Sequence, residues 1–397
     1  MIHYFNPGHE TAVLNASKYY QPAANQVKMQ QELAFLPAWY AEPNDFVLIE
    51  NELPGIFQKE IKTLNPIAKS ISISELEESK KELFNQSIGL WGISPQSIYR
   101  FEKLNAENGF HWQIPKWKEE FQYLGSRMAS HQALSHLLNT IPSLDKAILP
   151  KFFSTIAELE DYVVRRDEKL LVKSPYSSSG RGLVWLPPGP LARSEKQIIS
   201  GMLKKQAQVS VEKALDKQLD FSMHFEIDRA NAVHFIGYSI FQTNEKGAYQ
   251  ESLLANQDFL AKQLTALIDK ELLYQVRNEL LTTLQKMYAP YYTGTIGVDM
   301  LIYLSENQYR LNPCLEINMR KSMGYLAIQL QNNYLHSLSQ GFFRIDYVSK
   351  PGELLQKHQE LQKQYPVVID NNRIVSGYLG LCPVTEASGY LAYVVVE

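Results

Sequence analysis

Residues 294–303 read GTIGVDMLIY and residues 314–324 read CLEINMRKSMG, so Asp299 is followed at a short distance by Glu316, Asn318 and Arg320. Ile296–Leu304 is apolar and β-branched, Ser305–Gln308 has turn composition, and Tyr309–Asn318 resumes a strand pattern, which predicts a β-hairpin. Side chains alternate along a strand, so Glu316, Asn318 and Arg320 are expected to project together. If the turn closes without a bulge, Leu304 falls opposite Tyr309 and Asp299 opposite Cys314. Asp299 then lies one diagonal step from Glu316 on the same face, about 7–8 Å away at the backbone. Two carboxylates this close repel unless a cation lies between them. Oxygen ligands from two acids and an amide favour Mg²⁺. Pro313 weakens a regular ladder and suggests an edge or a bulge, which would change the facing. Without a cation, the same residues also fit the polar outer face of a hairpin.

Upstream, LLVKSPYSSSGRGLVW spans 170–185. Lys173 ends an apolar strand, and the Ser/Gly loop 177–182 follows it. Such a loop can turn successive N–H groups toward an anion, with a strand-end lysine as a point charge. Read alone it is also a plain hairpin turn, and it lacks the Gly-Lys-Ser/Thr ending of a P-loop. Residues 209–223 read VSVEKALDKQLDFSM. A strand running into a short hinge offers backbone groups to a base edge, and Asp220 offers an acceptor to sugar hydroxyls. A strand end with solvated charges fits that segment equally.

The order of these pieces is more informative than any one of them. A cation at a helix start (Arg127), a lysine strand, a Gly/Ser loop, a Glu-Lys hinge and an acid hairpin together resemble the ATP-grasp superfamily, over roughly Ser126–Gly324. The resemblance implies an α/β fold whose two lobes clamp ATP, behind an N-terminal Rossmann-like domain. It assigns ATP binding to Arg127, Lys173, Ser178, Ser179, Gly180, Arg181, Gly182, Glu212, Lys213, Leu215 and Asp220. Asp299, Glu316 and Asn318 become ligands of two Mg²⁺ ions, with Mn²⁺ as the substitute. Arg320 and Lys173 become the catalytic cations. The implied reaction activates a substrate carboxylate as an acyl-phosphate and joins it to an amine or thiol. A phosphotransferase on the same clamp and a non-catalytic ATP-binding module are the alternatives. Two positions depart from the pattern: Arg127 stands where many members have lysine, and Met319 where proline is common.

The rest of the chain sets bounds. At 397 residues it exceeds one ordinary core. The division expected is an N-terminal α/β domain at 1–125, clamp lobes at 126–215 and 216–345, and an extension at 346–397. With 45% apolar and 20% charged residues the chain is globular, and a net charge of −3 leaves no footprint for nucleic acid. Two cysteines suit a reducing compartment. The chain opens on MIHYFN without a basic n-region, and no apolar run reaches membrane-spanning length, so a cytoplasmic protein is expected. Its partners are expected to be a small carboxylic acid and an amine, or a short peptide; the oligomeric state is open. Asn6-Pro7-Gly8-His9-Glu10 is a strand-to-helix turn that suits an acceptor site or simply makes the turn. His131 and His136, five apart, miss the spacing that would pair them on one helix face.

Overall fold

The computed structural model describes residues 1–64, 66–177, 182–245 and 247–397. Contacts divide the chain into two compact units, Met1–Lys118 with Gln250–Leu260 and Arg320–Glu397, and Glu119–Tyr249 with Ala261–Met319.

The first unit contains a four-stranded parallel sheet in the order Lys69–Ser72, Phe46–Ile49, Ile2–Tyr4, Ile88–Leu90. FVLI at 46–49 is buried along its whole length, as a strand covered on both faces must be. Ile2, Leu48, Leu90, Phe101 and Trp112 belong to its core. The helix Pro95–Asn108 packs onto that core, and its N-cap Ser94 accepts the Ser97 N–H at 3.2 Å. The next helical stretch is two pieces, Ala24–Glu32 and a 3₁₀ turn Leu36–Trp39, because Pro37 cannot donate within a continuous helix.

The C-terminal residues join this unit. Trp39 Nε1 donates to Leu381 O at 2.8 Å, and the Glu32 carboxylate accepts from the Gly389 and Tyr390 N–H groups, each at 2.8 Å. The helix that follows runs Met323–Tyr334. The chain then makes the strand Gly341–Tyr347, antiparallel to Tyr390–Val396. Gly341 is required there, since a Cβ would sit 2.2 Å from Val395 O. Arg373–Gly380 and Val368–Asp370 extend the same antiparallel set.

The second unit has two sheets. The smaller is antiparallel, in the order Lys151–Phe153, Val209–Lys213, Leu170–Lys173, Leu183–Leu186, with the helices Ile156–Val163 and Arg193–Gln206 on its core. Thr155 caps the first of these helices, accepting from Glu158 N–H at 3.3 Å. Of the larger sheet, this unit's strands run in the order Gln308–Asn318, Gly294–Ser305, Asp216–Ile227, Val233–Thr243. The helices Arg127–Thr140 and Lys270–Met287 pack against it. Asp269 caps the latter, its side chain accepting from the Glu271 and Leu272 N–H groups. No helix among the described residues is long and apolar enough to cross a membrane.

Candidate active site

The acid hairpin forms with a different register from the regular ladder. Glu306 and Asn307 both have positive φ, 52° and 60°, the type I′ turn that matches strand twist. Leu304 is opposite Tyr309, as the turn demands. Between Leu301–Asn312 and Asp299–Glu316 the pairing shifts, and residues 313–315 face Met300 alone. Pro313 lies in that bulge, where its missing N–H costs no ladder bond. The insertion amounts to two residues, an even number, so the facing of Glu316 is preserved. Asp299 therefore lies directly opposite Glu316, not Cys314, and closer than the diagonal reading required. Gly297 is opposite Asn318, and Asn318 Nδ2 donates to Asp299 Oδ2 at 2.9 Å.

The strand ends at Asn318, so alternation does not carry on to Arg320. Arg320 belongs to the first unit, where its Nε donates to Glu10 Oε1 at 2.5 Å.

Arg127 opens its helix and ties three elements of the second unit together. Its N–H donates to Pro175 O at 3.0 Å, Nε to Ser174 O at 3.1 Å, and Nη2 to both Ser177 Oγ at 3.3 Å and Glu316 Oε2 at 3.0 Å. Lys173 and Glu212 pair across the small sheet, where the register sets Lys173 opposite Ser210 and Glu212 opposite Leu171. Both are largely buried, which makes this pair more than a surface contact. Arg127, Lys173, Glu212, Asn312 and Cys314 enclose a space of about 10 Å³, room for roughly one water.

The remaining expected residues fall as follows. Lys213 ends its strand, and the next N–H, that of Ala214, is taken by Lys169 O at 2.9 Å. Leu215 follows in the hinge. Asp220 accepts from Lys217 Nζ at 2.7 Å and Thr243 Oγ1 at 2.8 Å. Ser178, Ser179, Gly180 and Arg181 lie outside the described residues. Gly182 adopts φ 70°, and a Cβ there would meet Ser174 Oγ at 3.0 Å. His131 rests edge-on against Phe152 at 5.2 Å, and His136 Nε2 is 3.7 Å from Glu279, so neither joins the acids.

Two residues missed by sequence reading share the acid face. Ser222 is opposite Asp299 and His224 opposite Gly297, both buried, with Ser222 Oγ 2.8 Å from His224 Nε2. Burial pushes the His224 imidazole down to about 3. The signal was the alternation Asp220, Ser222, His224 against Phe221, Met223, Phe225.

The donor set fits a hard divalent cation. Asp299, Glu316 and Asn318 supply only oxygen among their acceptors, on one face of one hairpin. Among the described residues no group of three or more His, Cys, Asp and Glu side chains converges to hold a metal by itself, so substrate oxygens and water must complete any shell. The negative field of the acids registers on Cys314, whose thiol is pushed well above its ordinary value by burial and by Asp299 and Glu316.

No protein-family model matches this sequence, and no curated protein does. Solved structures do. The whole chain aligns with 92% of the N5-carboxyaminoimidazole synthetase of Staphylococcus aureus complexed with ADP, at 14% identity and a TM-score of 0.51. It also aligns over its whole length with 87% of the biotin carboxylase of Campylobacter jejuni in its β-γ-ATP complex, at 12% identity and a TM-score of 0.53. The chain has the ATP-grasp fold. The α/β architecture expected from the sequence is the one observed.

Proposed function

We propose that this protein is an ATP- and Mg²⁺-dependent ligase that activates a small carboxylic acid as its acyl-phosphate and transfers the acyl group to an amine or thiol. The observation that carries this reading is the direct opposition of Asp299 and Glu316, with Asn318 on the same hairpin, in a fold shared with enzymes bound to ADP and an ATP analogue.

Lys173 and Arg127 are the cations we assign to the nucleotide phosphates, with the loop 178–182 over them. Glu212 and the hinge at Lys213 and Leu215 are assigned to adenine, and Asp220 to the ribose. Asp299, Glu316 and Asn318 would hold the metal, for which two ions and Mn²⁺ replacement remain part of the proposal. When bound, the metal neutralises phosphate charge. The protein's own share is to hold cations and carboxylates in place before charge develops, which lowers the reorganisation the reaction requires. Arg320, two residues beyond Asn318 in the chain, is assigned to the phosphoryl group in transfer. The protein would work in the cytoplasm on small molecules, with a short peptide as an acceptable acid or amine component.

The test is phosphate release from ATP against a panel of acids and amines offered singly and in pairs. A ligase releases phosphate only when both partners are present. ADP formation with an acceptor alone, without free phosphate and with a stable phosphorylated product, assigns a phosphotransferase instead. MgATP binding with neither phosphate release nor ADP formation under any pairing assigns a non-catalytic module.

A further inference from the structure

The small sheet of the second unit carries one aromatic side chain with no part in the proposed site. Directly paired residues put their side chains on the same face of a sheet. Leu171 pairs with Glu212 on one side and Trp185 on the other, and Lys173 pairs with Ser210 and Leu183. These six residues therefore share a face. The alternate residues, Val172, Val184 and Val211 among them, form the core with Leu159, Val163 and Ile199 of the two helices. Trp185 thus stands on the helix-free face, the one that carries Lys173 and Glu212.

Of the five tryptophans, Trp39, Trp91 and Trp112 are buried and Trp117 is partly buried against the first unit's parallel-sheet core, whereas Trp185 is 51% exposed. Leu183–Leu186 is the last strand of its sheet, and among the described residues no hydrogen bond or ring contact engages the indole. A single exposed aromatic needs no explanation by itself, but the place of this one does. The Lys173–Leu183 row borders the Ser/Gly loop, where Ser174 N–H donates to Gly182 O at 2.9 Å. The Leu171–Trp185 row lies one step toward the hinge, where Ala214 N–H donates to Lys169 O. Trp185 is therefore level with Glu212, two strand spacings or about 10 Å across the face, and Leu171 is the apolar floor between them.

We infer that Trp185 is a base-recognition residue: its indole packs against the purine of a nucleotide whose ring lies over Leu171 with its edge at the hinge after Glu212. This rests on the nucleotide reading of the site. Indole offers a large, rigid apolar surface at low entropic cost, and a base stacked on an aromatic side chain gains through its π-face. Lys173 and the loop serve the other end of the ligand. Trp185 accordingly adds affinity through the base and takes no share in holding phosphates.

The test uses the full chain with two probes, MgADP and magnesium tripolyphosphate, which has no base. Trp185 is the most exposed tryptophan, so acrylamide quenching of the intrinsic emission reports chiefly on it. Saturating MgADP should reduce that quenching in wild type, and Trp185→Phe should show little change. In calorimetry Trp185→Ala should weaken MgADP about fivefold or more, with a smaller loss in Trp185→Phe, which keeps an aromatic ring. Tripolyphosphate should bind Trp185→Ala within about twofold of wild type. Unchanged MgADP affinity in Trp185→Ala, or unchanged quenching of saturated wild type, overturns the inference and leaves the nucleotide site standing. Equal losses for MgADP and tripolyphosphate overturn it too, because they show a structural role. If Trp185→Ala fails to fold, the quenching of wild type decides. A wild type that binds no MgADP overturns the nucleotide reading, and the inference with it.

Discussion

Arg127 and Glu316, 189 residues apart in the chain, are ion-paired with Nη2 and Oε2 at 3.0 Å. The pair joins the start of a helix to the acid hairpin, and the same guanidinium holds Ser174 O and Ser177 Oγ at the head of the Ser/Gly loop. One side chain therefore ties together an expected phosphate loop and an expected metal ligand. Arginine serves this better than lysine, because a single point charge cannot bond along two edges at once.

Arg127→Ala removes three partners together and leaves the Ser174 carbonyl and Glu316 carboxylate unpaired. Arg127 is 9% exposed, so the loss should be about 2–4 kcal/mol in urea denaturation. Arg127→Lys should lose less than half of that. Equal stability of all three proteins would show that the pair does not form in solution.

Lys173→Ala should weaken ATP binding by at least about tenfold, or ~1.4 kcal/mol. The side chain is 8% exposed and already neutralises Glu212, so the alanine variant also leaves a buried acid unpaired. Lys173→Ala/Glu212→Ala removes that complication: it should recover stability but not nucleotide affinity. Unchanged affinity in calorimetry would take Lys173 out of the site.

Acid sensitivity should trace to His224. Its folded value is about 3 against an ordinary 6.5, so between those values the unfolded chain binds a proton that the folded chain refuses. The contribution is fully present above pH 6.5 and is lost as pH falls, at ~1.4 kcal/mol per unit. From pH 7 to 5 it should cost the fold about 2 kcal/mol, and His224→Gln should flatten the slope by that amount. His3, lowered by burial against its bond to Asp45, adds in the same direction. An identical slope in His224→Gln would contradict the buried neutral imidazole.

Much of this was legible in the sequence, and the misses have physical causes. The turn at 306–307 and the apolar strands were read from alternation and turn chemistry. A regular ladder pairs Asp299 with Cys314, and a single sequence shows that Pro313 disturbs a ladder but not by how many residues. Two extra residues kept the acids on one face; one would have separated them. The pattern at 390–396 reads as a strand, but local patterning does not announce that its partner is GFFRIDY at 341–347. Locally, Glu10 reads only as part of a strand-to-helix turn. Its partner is 310 residues away, and nothing in local spacing links an acid at position 10 to an arginine at 320.

The central claim is that the Asp299–Glu316 hairpin holds the metal of a nucleotide site. Thermal shift on wild type and Glu316→Gln, with ATP, Mg²⁺ and both together, tests it most directly. Wild type should be stabilised by ATP and Mg²⁺ together well beyond either alone, and the variant should lose that joint increment while keeping a response to ATP. A joint increment of equal size in Glu316→Gln would place the metal elsewhere, and no response of wild type to any nucleotide would contradict the site altogether.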